Sequence, residues 1–144
     1  MRTWCRCPSR RSRRPVIRSL DHLVITARDV AATIRFYVDF MGMEEVTFGP
    51  DPGTSRKALR FGNQKINLHQ AGAEFEPKAD VPTPGSADLC FLTDMPVAEV
   101  TARAAECGVE IIEGPGERTG AVGTLLSVYC RDPDGNLIEI SNAV

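Results

Sequence analysis

Two marks recur 66 positions apart along this chain of 144 residues. A polar residue at the head of an alternating apolar stretch stands at His22 and again at Asp88, and a glycine that stops a helical stretch stands at Gly42 and again at Gly108. A repeat of this period means that each unit is a supersecondary module that cannot bury its apolar face alone. In the first unit, Asp21–Thr26 alternates like a half-buried strand. Asp29 then caps a helix to about Met41, with Val30, Ile34, Tyr37, Val38 and Met41 on one face. Strands follow over 43–48, 57–61 and 65–69. The second unit has a strand over 88–92, a helix with Pro96 in its first turn and an apolar stripe of Val97, Thr101, Ala104 and Ala105, and a strand over 109–112. A Gly-rich loop over 113–123, a strand over 125–130 and a last strand after the Asp132-Pro133-Asp134-Gly135-Asn136 turn complete it.

The fold class expected is α+β. Two tandem βαβββ modules, 19–70 and 86–142, sit in one domain over 17–144 and form a curved, cup-like mixed sheet with helices on the outside. The connecting stretch 71–85 carries Pro77, Pro82 and Pro84, as suits a crossing between modules rather than a ladder.

Composition narrows the function classes. At 42% hydrophobic the chain can build a real core, and no run approaches the roughly 18 apolar residues of a membrane span, so no membrane partner is expected. Six arginines (Arg2, Arg6, Arg10, Arg11, Arg13, Arg14) stand before residue 16 with no acid among them. The remainder holds 11 basic residues against 19 acidic ones, a formal charge of −8, which argues against nucleic-acid binding. Residues 1–16 are expected to be a disordered basic tail, read either as a translation start placed too far upstream or as an organelle presequence. The five cysteines are odd in number, with Cys90, Cys107 and Cys130 inside expected elements. That usage fits buried thiols in a reducing cytosol without disulfides, hence a cytoplasmic location.

Side-chain parity then selects a site. Successive strand residues point to opposite faces. Leu23 and Ile25, Ile66 and Leu68, and Ile138 and Ile140 fall on the helix side. His22, Asn67, His69, Asp88 and Glu139 fall on the other, with Ser127 and Tyr129 sharing a strand face that can present their hydroxyls toward the cup. Imidazoles and carboxylates gathered there would hold a divalent ion, with nitrogen and oxygen donors suited to Zn, Ni, Co, Mn or Fe(II) rather than Ca. A hydrogen-bonded core histidine and a solvated edge-strand glutamate are the plainer readings of His22 and Glu139.

Three motifs carry a family resemblance. Asp21-His22-Leu23-Val24, Phe36-Tyr37 through Met41-Gly42-Met43, and Asp132-Pro133-Asp134-Gly135-Asn136-Leu137-Ile138-Glu139 resemble the vicinal oxygen chelate superfamily. Within it, Gly62-Asn63-Gln64-Lys65-Ile66-Asn67-Leu68-His69, Phe75-Glu76-Pro77-Lys78-Ala79, Pro84-Gly85-Ser86 and Arg118-Thr119-Gly120-Ala121 resemble the group of glyoxalase-domain-containing protein 5 and bacterial virulence glyoxalases. The resemblance covers about 17–142.

That resemblance implies a metal held by the first and last strands of each module. His22 and Glu139 match ligand places, Asp88 stands where relatives often have His, and Asn67 stands where glyoxalase I enzymes often have Glu. His69, two residues along the same face, could substitute for Asn67. The expected metal set is therefore His22, His69, Asp88 and Glu139, with Glu139 as shuttling base and Asp88 in reserve. Asn67, Arg118, Ser127 and Tyr129 are the expected substrate-binding residues, Arg118 from a mobile loop. The activity implied is a glyoxalase I type isomerisation of a hemithioacetal, with glutathione as a possible co-substrate and a homodimer as the assembly. An extradiol dioxygenase, a thiol transferase and a non-catalytic small-molecule binding module are the alternatives, since one fold hosts several chemistries.

Overall fold

The computed structural model describes residues 15–144. All but the last two residues of the expected basic tail lie outside the described residues. Chain order is β1 (His22–Ala27), α1 (Val30–Arg35), β2 (Glu44–Phe48), β3 (Arg56–Phe61), β4 (Gln64–Gln70), β5 (Asp88–Leu92), α2 (Val97–Glu106), β6 (Glu113–Thr119), β7 (Thr124–Arg131) and β8 (Leu137–Ala143). The strands form two four-stranded mixed sheets, β1-β4-β3-β2 and β5-β8-β7-β6. In each, the first strand runs parallel to the last and every other pair is antiparallel. This is the expected α+β class, with the same topology in both halves.

Local chemistry sets the helices. Asp29 Oδ1 accepts the Ala32 N–H at 3.0 Å, satisfying a first-turn donor that α1 leaves open. Beyond Arg35 the backbone widens into a π-helical turn over Phe36–Phe40, which brings Tyr37 and Phe40 into the core. The straight helix read from the sequence already had Tyr37 on that face but not Phe40, and Val38 and Met41, which it also placed there, are only partly buried. Gly42 and Gly108, at φ 72° and 70°, end the two helical stretches in the left-handed region that costs glycine nothing.

The two modules share one core. Ile25, Leu59 and Ile66 from the first sheet and Val128, Ile138 and Ile140 from the second join Tyr37, Phe40 and Val100 in a single cluster. Each fully buried aliphatic side chain there contributes about 1.5–3 kcal/mol. Phe61 of β3 meets Phe91 of β5 edge-on at 5.3 Å. Arg103 of α2 donates from Nε to the Phe40 carbonyl at 2.6 Å and from Nη2 to the Asp39 carbonyl at 2.8 Å. Within one chain, then, the helix-bearing faces of the two modules meet each other, and the two sheets remain separate ladders rather than one continuous surface. The opposite faces turn outward, as the exposure of Val24 and Leu92 shows.

Residues 113–119, expected as loop, form β6, whereas 109–112 is not a strand. Ile112 N–H donates to the Tyr129 carbonyl at 2.8 Å, and pairing with β7 continues across an irregularity between Glu113 and Gly116. An edge strand tolerates Pro115, and the bulge breaks the period of two that would have announced it. Of the three cysteines in described elements only Cys130 is buried; Cys90 and Cys107 are exposed, one on the open face of β5 and the other at the end of α2.

Candidate functional site

The first sheet presents His22, Asn67 and His69 on its outward face. Parallel register sets His22 level with Lys65, Val24 with Asn67 and Thr26 with His69. His22 and His69 are thus four positions apart, about 13 Å along the strand at the usual rise. Asn67 is the nearer partner for His22. The His22 ring is exposed, with Nδ1 2.8 Å from Asp21 Oδ2, a contact that fixes the orientation of the imidazole. Asn67 Oδ1 is buried and without a hydrogen bond among the described residues. Beside His22 a largely apolar cleft of 650 Å³ opens between the modules, lined by Leu23, Phe61, Phe91 and Met95 among others.

His69 belongs to a different setting. It is 5% exposed, and its ring packs edge-on against Phe75 at 5.7 Å. Burial first, and then the nearby Arg56 charge, hold its pKa below the ordinary histidine value.

The second sheet gathers the acidic and hydroxyl groups. Register sets Cys90 and Tyr129 on either side of Glu139, Ser127 opposite Ser141, and Asp88 at the exposed head of β5, level with Leu137. Ser127 and Ser141 hydroxyls are 2.7 Å apart, and Ser141 Oγ donates to Glu139 Oε1 over a long 3.4 Å. Burial pushes the Tyr129 phenol above its usual range, and its hydrogen bond to Glu139 adds to the effect. Burial likewise raises the Cys90 thiol, which lies 3.4 Å from Ser141 Oγ.

Arg118 completes this face from β6, not from a loop. Its Nε donates to Tyr129 Oη at 3.1 Å, Nη1 to the Glu117 carbonyl at 2.8 Å and Nη2 to Glu113 Oε1 at 2.6 Å. With every nitrogen engaged, Arg118 orients Tyr129 rather than offering a free cation. Strand pairing fixes it there, and the sequence reading missed this because Gly and Pro around it masked the strand.

The structure therefore brings Asp88, Glu139, Ser127, Tyr129 and Arg118 to one sheet face and His22 and Asn67 to another. Among the described residues of one chain, no three His, Cys, Asp or Glu side chains gather in an arrangement that could hold a metal ion. Cys90 and Ser141 stand on the acidic face without having been singled out as site residues. The parity of Cys90 with Asp88 was the available signal, but a cysteine in a strand reads as core.

Paired βαβββ modules with polar outward faces define the class of this protein. The chain belongs to the Glyoxalase/Bleomycin resistance protein/Dioxygenase superfamily, whose family model matches residues 19–140. It is 57% identical over 129 residues to virulence protein STM3117 of Salmonella typhimurium, covering 90% of this chain and 87% of that protein. The crystal structure of that virulence protein superposes with a TM-score of 0.85, over 90% of this chain and 100% of the other. The chain is also 56% identical over 133 residues to glyoxalase domain-containing protein RDO1 of Mycosarcoma maydis, covering 92% of this chain and 73% of the relative. Among the described residues no helix is long and apolar enough to cross a membrane.

Proposed function

We propose that this protein is a divalent-metal-dependent lyase of glyoxalase I type, acting as a homodimer on the hemithioacetal of a 2-oxoaldehyde and a thiol. Two copies would build each site, the His22 and Asn67 face of one subunit closing over the Asp88 and Glu139 face of the other. The observation that carries this reading is the pairing of outward faces of complementary chemistry on one chain. The first presents His22, Asn67 and Lys65 by register and the second Asp88 and Glu139, while Arg60 and Glu113 are each paired within their own face, with Glu44 and Arg118. The Asn67 Oδ1, buried and without a hydrogen bond among the described residues, is a further oxygen that could ligate an ion.

One imidazole nitrogen with two carboxylates and an amide oxygen fits a borderline divalent ion such as Zn, Ni, Co or Mn. When bound, the ion would supply Lewis acidity toward the adjacent oxygens of the substrate. The chain's own groups do the rest. Glu139 takes the proton from the hemithioacetal carbon and returns it to the neighbouring carbon, so the net change is a hydrogen shift giving a thioester of a 2-hydroxy acid. Tyr129, steadied by Arg118, holds Glu139 in place between these transfers, and Ser127 acts through Ser141 on the same carboxylate. Asp88, exposed at the head of β5, is the second carboxylate of the set.

The test is turnover of methylglyoxal plus glutathione by metal-reconstituted protein beside His22→Ala and Glu139→Ala. Loss of both metal and turnover in the two variants is expected, and unchanged metal content in both contradicts the assignment. A non-catalytic small-molecule binding module is the second reading, favoured by the separation of the donors within one chain. Absence of stoichiometric metal, with no activation by Ni, Co, Zn or Mn, would select it.

A further inference from the structure

At the end of the first sheet away from His22, the linker between the modules roofs a pocket of 420 Å³ for which the metal reading has no use. Its volume lies within the roughly 300–1,000 Å³ of small-molecule sites. Val24, Thr26 and His69 line its floor, Pro77, Lys78 and Val81 belong to its roof, and the start of β5 closes one end. Three polar groups there are not spent on the fold. The 95% buried His69 ring makes no hydrogen bond to any described residue, so an imidazole that is both donor and acceptor lines the pocket unpartnered. The Thr26 hydroxyl, on a residue only 8% exposed and level with His69 across the β1–β4 ladder, likewise has no partner among the described residues. Lys78 Nζ is 3.5 Å from Glu76 Oε1 and 3.9 Å from Glu74 Oε2, both longer than a charge-assisted hydrogen bond, which leaves its donors available.

The scaffold around them is built. The Arg56 guanidinium lies 4.3 Å over the Phe75 ring and Phe75 abuts His69, so the His69 ring is held in place on the same sheet face. Ser86 Oγ donates to the Thr83 carbonyl at 2.7 Å, and the backbone N–H of Ala87 to Asn136 Oδ1 at 2.9 Å, tying the end of the roof to the second module.

We propose that this pocket binds a small monocarboxylic acid with an apolar body, its carboxylate taken by Lys78, Thr26 and His69 and its hydrocarbon part packed against Val24, Val81 and Pro82. The single charge of Lys78, already shared with Glu74 and Glu76, suits a singly charged carboxylate better than a doubly charged phosphate ester, on which the same two carboxylates act with twice the repulsion. The apolar walls would leave the hydroxyls of a sugar unpaired. It lies at the far end of the same sheet face from His22, and none of His22, Asn67, Asp88 and Glu139 lines it.

Phenylacetate is the probe, titrated into the full chain and followed by NMR, with phenylacetamide as the uncharged isostere and EDTA present throughout so that metal binding plays no part. Saturable shifts at the His69 ring, at Thr26 and across the amides of 78–87 are expected. Binding should weaken about tenfold or more for the amide and for Lys78→Ala, a partly exposed position whose replacement leaves the core intact. No saturable shift up to about 10 mM, equal binding of acid and amide, indifference to Lys78→Ala, or shifts centred on Asp88 and Glu139 would each overturn the proposal.

Discussion

Tyr37 and Asp132 are joined across the two modules by a buried hydrogen bond, the phenol donating to Asp132 Oδ2 at 2.8 Å. The same carboxylate accepts the Asn136 Nδ2 donor at 2.7 Å and the backbone N–H groups of Asp134 and Asn136 at 2.9 and 3.0 Å, so the Asp-Pro-Asp-Gly-Asn turn folds around it. Burial, then the Asp132 charge, pushes the Tyr37 pKa far up, and the phenol remains a donor at any ordinary pH. Tyr37→Phe should cost about 2 kcal/mol, the value of a hydrogen bond to a charged group, read from a urea midpoint. Asp132→Ala should cost more, since it strips the acceptor from four donors at once. Equal effects would mean the turn holds itself without the carboxylate.

Cys130 gives a pH signature. Burial pushes its thiol from the ordinary 9.0 up to about 11, with the Asp132 charge as the lesser cause. Between those values the unfolded chain has released its proton and the folded chain has not, so stability falls as pH rises through that window. Cys130→Ala should weaken the fold at neutral pH through its lost sulfur contacts, yet flatten this alkaline arm when urea midpoints at both ends are compared. An unchanged alkaline slope in the variant would dissociate the effect from Cys130. Thiol titration of the native protein at neutral pH should find Cys90 and Cys107 accessible and Cys130 inert.

Gly85 tests the seam where the linker meets the second module. It sits at φ 80°, and a Cβ there would lie 2.5 Å from the Asp134 carbonyl oxygen. Gly85→Ala should therefore destabilise by about 1–3 kcal/mol, combining backbone strain with displacement of the turn. A thermal midpoint equal to wild type would show that the seam yields without cost.

Arg118 separates positioning from charge. Its three donors go to Tyr129, Glu117 and Glu113, so Arg118→Lys keeps the charge and loses the fork. Turnover in the proposed reaction should fall about tenfold in kcat with KM little changed, and metal content should stay intact. A rise in KM alone would return Arg118 to direct contact with an anionic substrate.

How much of this the chain announced depends on the range of the interaction. Parity along β1, β4, β5 and β8 is local, and it put His22, Asn67, Asp88 and Glu139 on the faces turned from the helices. The 66-residue period likewise marked both left-handed glycines. Which faces meet is decided by contacts between distant residues, Phe61 with Phe91 and Arg103 with the end of the first helical stretch, and these leave no periodic trace. The distance between His22 and His69 depends on register, which two short strands do not reveal separately. β6 went unread because its bulge and proline erase the alternation on which strand reading rests.

The most direct test of the central claim, that His22 of one subunit and Glu139 of another serve one ion, is complementation between His22→Ala and Glu139→Gln. Each variant alone should bind little metal and turn over little substrate. Unfolding and refolding the two together should produce mixed dimers with one intact site each, restoring about a quarter of the wild-type metal content and activity at statistical assembly. No recovery above either variant alone, in dimers shown to have exchanged subunits, would contradict the account.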